Sequence, residues 1–163
     1  MTDSPIWSHI AGKDKVILDG DFIRLNKFST DAEKEFVISL QLMAGGPVTV
    51  SDQYHNIGDN LKFYTNTEML TLNTDRFVGK PLTDNLIDAN NQIWYGQMTN
   101  GDYVLGIFNR DDNAKSVTVN FADLGISGSY NIRDLWRHAD EGAATSVSAN
   151  IPAHGCKIVK LSK

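Results

Sequence analysis

Cysteine is almost missing from the chain: Cys156 is the only one in 163 residues, so no intrachain disulfide can form. Set in a strand-like run, a lone thiol is expected to act as a small buried hydrophobe rather than as a nucleophile. Positive charge is also short. Fifteen Lys and Arg against 20 Asp and Glu leave a net charge of −5 and a pI near 5.2. With no cluster of basic residues, this balance argues against nucleic acid and against an anionic membrane surface as partners. No apolar run approaches the length of a membrane span, and the N-terminus has no apolar signal region. Taken as complete, the chain is expected in the cytoplasm. Low-complexity tracts are lacking. His9, His55, His138 and His154 are scattered without ligand spacing, so no metal site is expected. Gly45-Gly46-Pro47 leads into a strand, whereas a phosphate cradle opens a helix, and there is no serine elbow. No cofactor is expected.

What is present is globular: 41% hydrophobic and 21% charged residues, enough chain for one ordinary domain or two small ones. The stretch Leu42 to Gln53 organises the first half. It reads as a helix end, a glycine stop, a short apolar strand and a polar strand end. Before it, Val16-Ile17-Leu18 is a short run without alternation, which predicts a fully buried strand ending in Asp19-Gly20-Asp21. Thr30 and Glu33 have capping-box spacing, and Asp31 favours the positive end of a helix dipole. Ala32, Phe36, Ser39, Leu40 and Met43 recur at helical spacing. Gly45 and Gly46 supply the stop. Val48-Thr49-Val50 follows as a second buried strand, so residues 16–53 form a βαβ unit with a parallel, right-handed crossover. A second helical region spans about 59–73, with Thr65 and Glu68 repeating the capping spacing and Met69, Leu70 and Leu72 on the apolar side.

After residue 91 the period changes to two. Six strands are expected, over 93–98, 103–109, 116–121, 129–136, 144–151 and 156–161, with no helix between them beyond a single turn at 122–125. Short strands so spaced indicate an antiparallel sandwich. The predicted class is α+β, with residues 1–81 α/β, 82–90 a linker and 91–163 all-β. In the sandwich, Trp94, Tyr95, Tyr103, Phe108, Phe121, Tyr130 and Trp136 are expected to be core and packing residues rather than a sugar platform. At most one of Trp94 and Tyr95 is expected in the core, since they point to opposite faces.

Several pieces in one order resemble the C-terminal part of the α-galactosidase-type glycoside hydrolases, family 27 and its relatives. Met43-Ala44-Gly45-Gly46-Pro47-Val48-Thr49-Val50-Ser51-Asp52 is similar to that family's last barrel strand. Residues 65–75 resemble its last barrel helix. Val78-Gly79-Lys80-Pro81 sits where its chain leaves the barrel. Ile93-Trp94-Tyr95, Gly106-Ile107-Phe108-Asn109-Arg110, Tyr130 to Trp136 and Ile151-Pro152-Ala153-His154-Gly155 are similar to pieces of its C-terminal sandwich. The resemblance covers roughly residues 14–162. It implies the end of a (β/α)₈ barrel, in two strand–helix repeats, followed by an accessory β-sandwich. It also implies a retaining enzyme of α-linked glycosides. The family's nucleophile and acid/base are aspartates on earlier barrel strands, so neither is carried over here, and the isolated chain is expected to be inactive.

In a βα barrel, the C-terminal strand ends hold the active site. That places Asp19, Asp21, Asp52 and Gln53 as candidates to bond a sugar hydroxyl, against the plainer role of turn and capping residues. Asp19 or Asp21 with Asp52 is also a conceivable carboxylate dyad, given the spacing retaining glycosidases need. Tyr54 is a candidate to stack on a sugar, although packing within the loop is the expectation for it and for His55. Two repeats cannot close a barrel. Residues 16–75 are therefore expected to expose apolar surface that a missing N-terminal barrel portion, or self-association, would cover. The alternative is a stand-alone, non-catalytic carbohydrate-binding or interaction module.

Overall fold

The computed structural model describes residues 12, 16–82 and 92–163. The expected linker, apart from Leu82, lies outside these residues. The first long helix, α1, runs Asp31–Met43 and starts as its capping box dictates. The Glu33 N–H donates to Thr30 Oγ1 at 3.2 Å, and the Thr30 N–H donates to Glu33 Oε2 at 2.8 Å. At the other end Gly45 takes a left-handed φ of +76°. The Gly45 and Gly46 N–H groups donate back to the carbonyls of Leu42 and Gln41, which is a Schellman stop. Gly46 meets a second demand. A Cβ there would lie 2.5 Å from the Leu18 carbonyl oxygen, so no side chain fits.

The parallel pairing forms, but not where the apolar run predicts it. Val16 and Ile17 are 55% and 66% exposed, so Val16-Ile17-Leu18 is not a buried strand. The parallel bridge joins Ile23 to Val50 instead. The Ile23 N–H donates to the Thr49 carbonyl at 2.8 Å, and the Ser51 N–H to the Ile23 carbonyl at 2.9 Å. Asp21, two residues before the bridge, takes a left-handed φ of 68°. Val48 and Thr49 are only half-buried and Val50 is exposed, so the second strand is not fully buried either.

The second helical region is broken in two, α2 (Leu61–Tyr64) and α3 (Thr67–Thr74), after a 3₁₀ turn at Gly58–Asn60. The Thr65–Glu68 capping box does not form. Asn66 is the cap: its Oδ1 accepts the Met69 N–H at 3.1 Å while its Nδ2 donates to the Leu135 carbonyl at 3.0 Å. The Thr65 hydroxyl turns back to the Leu61 carbonyl.

The rest is sheet: β1 (Lys80–Pro81), β2 (Ile93–Gln97), β3 (Tyr103–Phe108), β4 (Lys115–Asn120), β5 (Tyr130–Asp134), β6 (Ala139–Ala144), β7 (Ser146–Ile151) and β8 (Cys156–Ser162). A six-stranded sheet has the order β1-β2-β3-β8-β5-β6, and β4 pairs with β7 in a second sheet. All of these pairings are antiparallel. β1 and β6 were not expected. β6 is exposed nearly throughout and carries no apolar alternation to announce it.

Three layers result. The helices cover one face of the large sheet, with a core that includes Ile38, Leu42, Met43, Leu72, Trp94, Phe108, Trp136 and Ile158. The β4–β7 pair covers the other, around Leu105, Ile107, Phe121, Tyr130, Ile132 and Val159. Because the sheet is buried on both faces, Trp94 enters the helical core while Tyr95 packs against the sandwich core, so both serve as packing. α1 buries more than the residues at helical spacing announce. Glu35, Val37, Ile38, Ser39, Gln41, Leu42 and Met43 are its buried residues, and Phe36 and Leu40 are half-buried.

Candidate functional site

Asp52 lies just beyond the bridged Val50, at the C-terminal end of its strand. Its Oδ2 accepts the Leu25 N–H and the Tyr64 hydroxyl, each at 2.8 Å, and its Oδ1 accepts the Asn26 N–H at 3.2 Å. The carboxylate thus caps the 3₁₀ turn Leu25–Lys27 and ties it to α2. Tyr64 is buried beneath it, and burial followed by the Asp52 carboxylate pushes the phenol pKa well up, so it stays a donor. Asp19 and Asp21 precede the bridged Ile23, and they bond locally. Asp19 Oδ1 accepts the Asp21 N–H at 2.9 Å, and Asp21 Oδ1 accepts the Phe22 N–H at 2.7 Å. The Asp21 carbonyl accepts Gln41 Nε2 at 2.8 Å. Gln53 is exposed, and its carbonyl receives the Asn56 N–H. Tyr54 is 97% exposed and His55 is exposed, so neither packs within the loop.

Two residues at this end escaped the sequence reading. Arg24 is exposed directly after Ile23, and placing the first strand at 16–18 hid its position at a strand end. Tyr64 bonds Asp52 from 12 residues away, a pairing that no local spacing reveals.

Away from this end, ionic groups join the layers. Arg137 grips the buried Glu35 with two bonds of 2.7 Å. Burial pushes the Glu35 pKa up, and Arg137 opposes it. Glu68 accepts Arg133 Nε at 3.0 Å and Nη2 at 2.8 Å, and lies 2.7 Å from His138 Nδ1. Arg133 first, then His138, holds its carboxyl at about 2 against burial. Lys157 bridges Asp134 and Glu141 at 2.8 and 2.6 Å. Arg133 faces the helices, where Glu68 meets it, because the sheet is covered there. Cys156 is buried beside Ser39, and burial pushes its thiol up to about 12, which fits a packing role. All seven sandwich aromatics are buried or half-buried. Among the described residues no group of three or more His, Cys, Asp or Glu could hold a metal ion, and no helix is long and apolar enough to cross a membrane.

Comparison with known proteins extends this picture. Residues 88–161 match the family described as the alpha galactosidase C-terminal beta sandwich domain. The chain is 36% identical to an isomalto-dextranase from Arthrobacter globiformis over 96% of its own length and 26% of that protein's. It is 25% identical to an α-galactosidase from Oryza sativa subsp. japonica, over 88% of this chain and 35% of the other. The solved Arthrobacter isomalto-dextranase, in complex with panose, superposes with a TM-score of 0.91 over 98% of this chain and 28% of that one. A family 27 β-L-arabinopyranosidase from Geobacillus stearothermophilus shares the fold at 0.84 and 21% identity, over 98% and 40%. The chain therefore spans between about a quarter and two fifths of these relatives. Over its helical layer and its sandwich alike, it matches the C-terminal part of the α-galactosidase-like glycoside hydrolases, family 27 and its relatives.

Proposed function

We propose that this chain is the C-terminal portion of a glycoside hydrolase acting on α-linked glycosides, and that it completes its barrel by docking against further βα repeats. The observation that carries the reading is where apolar surface stands uncovered. Val16, Ile17, Phe22, Val50, Tyr54 and Leu61 are the large hydrophobic side chains exposed among the described residues, and all fall in the α/β half. The sandwich contributes none. A parallel bridge with exposed apolar flanks is what two repeats of a barrel leave open without their neighbours. A binding module built on the sandwich aromatics finds no such support, because those rings are packed inside.

In this reading Asp19, Asp21, Asp52, Gln53 and Tyr54 border the sugar site with different duties. Asp52 positions the Leu25–Lys27 turn. Gln53 and Tyr54, exposed at the strand end, contact the sugar. Asp19 and Asp21 contribute one strand over. The chain alone is inactive, because it lacks the two carboxyl groups the double displacement needs. The names of the relatives point to α-glucosidic and α-galactosidic substrates as the pair to test. The test is hydrolysis of isomaltotriose and of p-nitrophenyl α-galactoside by the 163-residue chain and by a version extended at its N-terminus with barrel repeats from its own reading frame. Turnover only by the extended protein is expected. Turnover by the chain alone, or by neither, overturns the reading.

A further inference from the structure

The buried side of the parallel pair fixes what its other side carries. Ile23 is 1% exposed and packs into the helical core. Asp52, two residues past the bridged Val50, turns the same way, toward the Leu25 N–H and the Tyr64 hydroxyl on α2. Successive side chains of extended backbone alternate between faces. Arg24 is itself extended, at φ −128° and ψ 89°. Phe22 and Arg24 therefore stand on the face turned away from the helices, and so do Thr49 and Ser51 on the neighbouring strand. Phe22 and Arg24 are exposed, and Thr49 and Ser51 are half-buried. The Ser51 N–H bonds the Ile23 carbonyl, which sets Ser51 beside the Ile23–Arg24 peptide. In a closed barrel this face is the inner one. Arg24 and Ser51 lie at its C-terminal end, where a βα barrel keeps its site.

The two side chains complement each other. The Ser51 hydroxyl donates to the Ile23 carbonyl at 3.4 Å, which leaves its oxygen lone pairs to accept. The Arg24 guanidinium only donates, and its planar fork reaches two oxygens at once. A sugar hydroxyl does both, giving its proton to Ser51 and receiving one from Arg24. An anionic ring would meet the Asp19 and Asp21 carboxylates on the same strand. The anomeric carbon does not suit Arg24, because charge builds up positive there in glycoside hydrolysis and a guanidinium would oppose it. We propose that Arg24 and Ser51 hold neighbouring hydroxyl groups of a neutral sugar ring, with Arg24 binding the ground and transition states alike. The proposal rests on the hydrolase reading and adds to it two binding residues and the charge of the ring they select.

Steady-state kinetics of the N-terminally extended protein test it, with isomaltotriose and p-nitrophenyl α-galactoside as substrates. On whichever the parent hydrolyses, Arg24→Ala is expected to raise KM about tenfold or more, with kcat within about twofold. Arg24→Lys should fall between the two, since an ammonium keeps the charge but not the fork. Ser51→Ala should raise KM severalfold, and Lys115→Ala, on β4, should change neither constant. Urea denaturation of the 163-residue chain should give Arg24→Ala the midpoint of the parent, because the side chain is exposed. An unchanged or lowered KM in Arg24→Ala, with the parent active, overturns this proposal and leaves the hydrolase reading standing. A loss confined to kcat, or a lowered urea midpoint, overturns it in the same way. No turnover by the extended parent overturns both.

Discussion

Asp52 concentrates more bonds than any other side chain at the strand end, so single substitutions there are informative. Asp52→Ala leaves the Leu25 and Asn26 N–H groups without their acceptor and leaves the Tyr64 hydroxyl only the longer bond to the Ile23 carbonyl, at 3.3 Å. The expected cost is about 1–3 kcal/mol in urea denaturation. Tyr64→Phe removes the one hydroxyl proton shared between Asp52 and the Ile23 carbonyl and is expected to cost about 1 kcal/mol. The double variant should lose less than the sum, because both remove the same contact. Glu68 makes a pH prediction. Its folded pKa of about 2 lies below the ordinary 4.5, so its contribution is fully present above about 4.5 and is lost as pH falls toward 2. Acid titration of Glu68→Gln should therefore show a flatter loss of stability over that window than the parent. A parent curve that is already flat there would remove Glu68 as the cause. Asp52 was legible as a polar strand-end residue, but its capping role was not, since all three of its donors lie far away in sequence.

At the scale of the element, α1 was written out locally. Thr30, Glu33, Gly45 and Gly46 mark its ends in order, and the structure uses each. Thr30→Ala is expected to cost about 1 kcal/mol in the same denaturation measurement. Gly46→Ala should cost more, and through sterics rather than capping, because its Cβ meets backbone at Leu18 and not a movable side chain. A ranking in which Thr30→Ala is the costlier would refute the close approach. Other elements were misread for identifiable reasons. Val16-Ile17-Leu18 has the composition of a buried strand, but composition does not say whether a neighbour is there to bury it. The capping box at Thr65 lost to Asn66, whose amide also bonds Leu135 across the layers, a tertiary bond that local spacing does not carry. β6 went unseen because a solvent-facing edge strand needs no apolar pattern.

For the whole molecule, the uneven distribution of exposed apolar side chains predicts behaviour in solution. The isolated chain should self-associate with concentration, and Phe22→Ser with Ile17→Ser should reduce that association in analytical ultracentrifugation. Both residues are more than half exposed, so the double change should leave thermal stability nearly unaltered. A parent chain that is monodisperse at all concentrations would mean that its α/β surface needs no cover. The change of apolar period near residue 91 marks where helices give way to antiparallel strands along the chain. The sequence did not carry the third layer: β3 is apolar almost throughout, as a strand covered on both faces is, but such a run does not say which elements cover it.

That double cover also sorts the chromophores. Trp94 and Trp136 both lie in the core between helices and sheet, whereas Tyr95, Tyr103 and Tyr130 belong to the core between the sheets. Tyr64 is the buried tyrosine on the helical side. In a Trp7→Phe, Tyr64→Phe background, the indole emission should follow the loosening of the helical layer and the tyrosine near-ultraviolet signal the opening of the sandwich, so one cuvette tells whether the two cores part together or in turn.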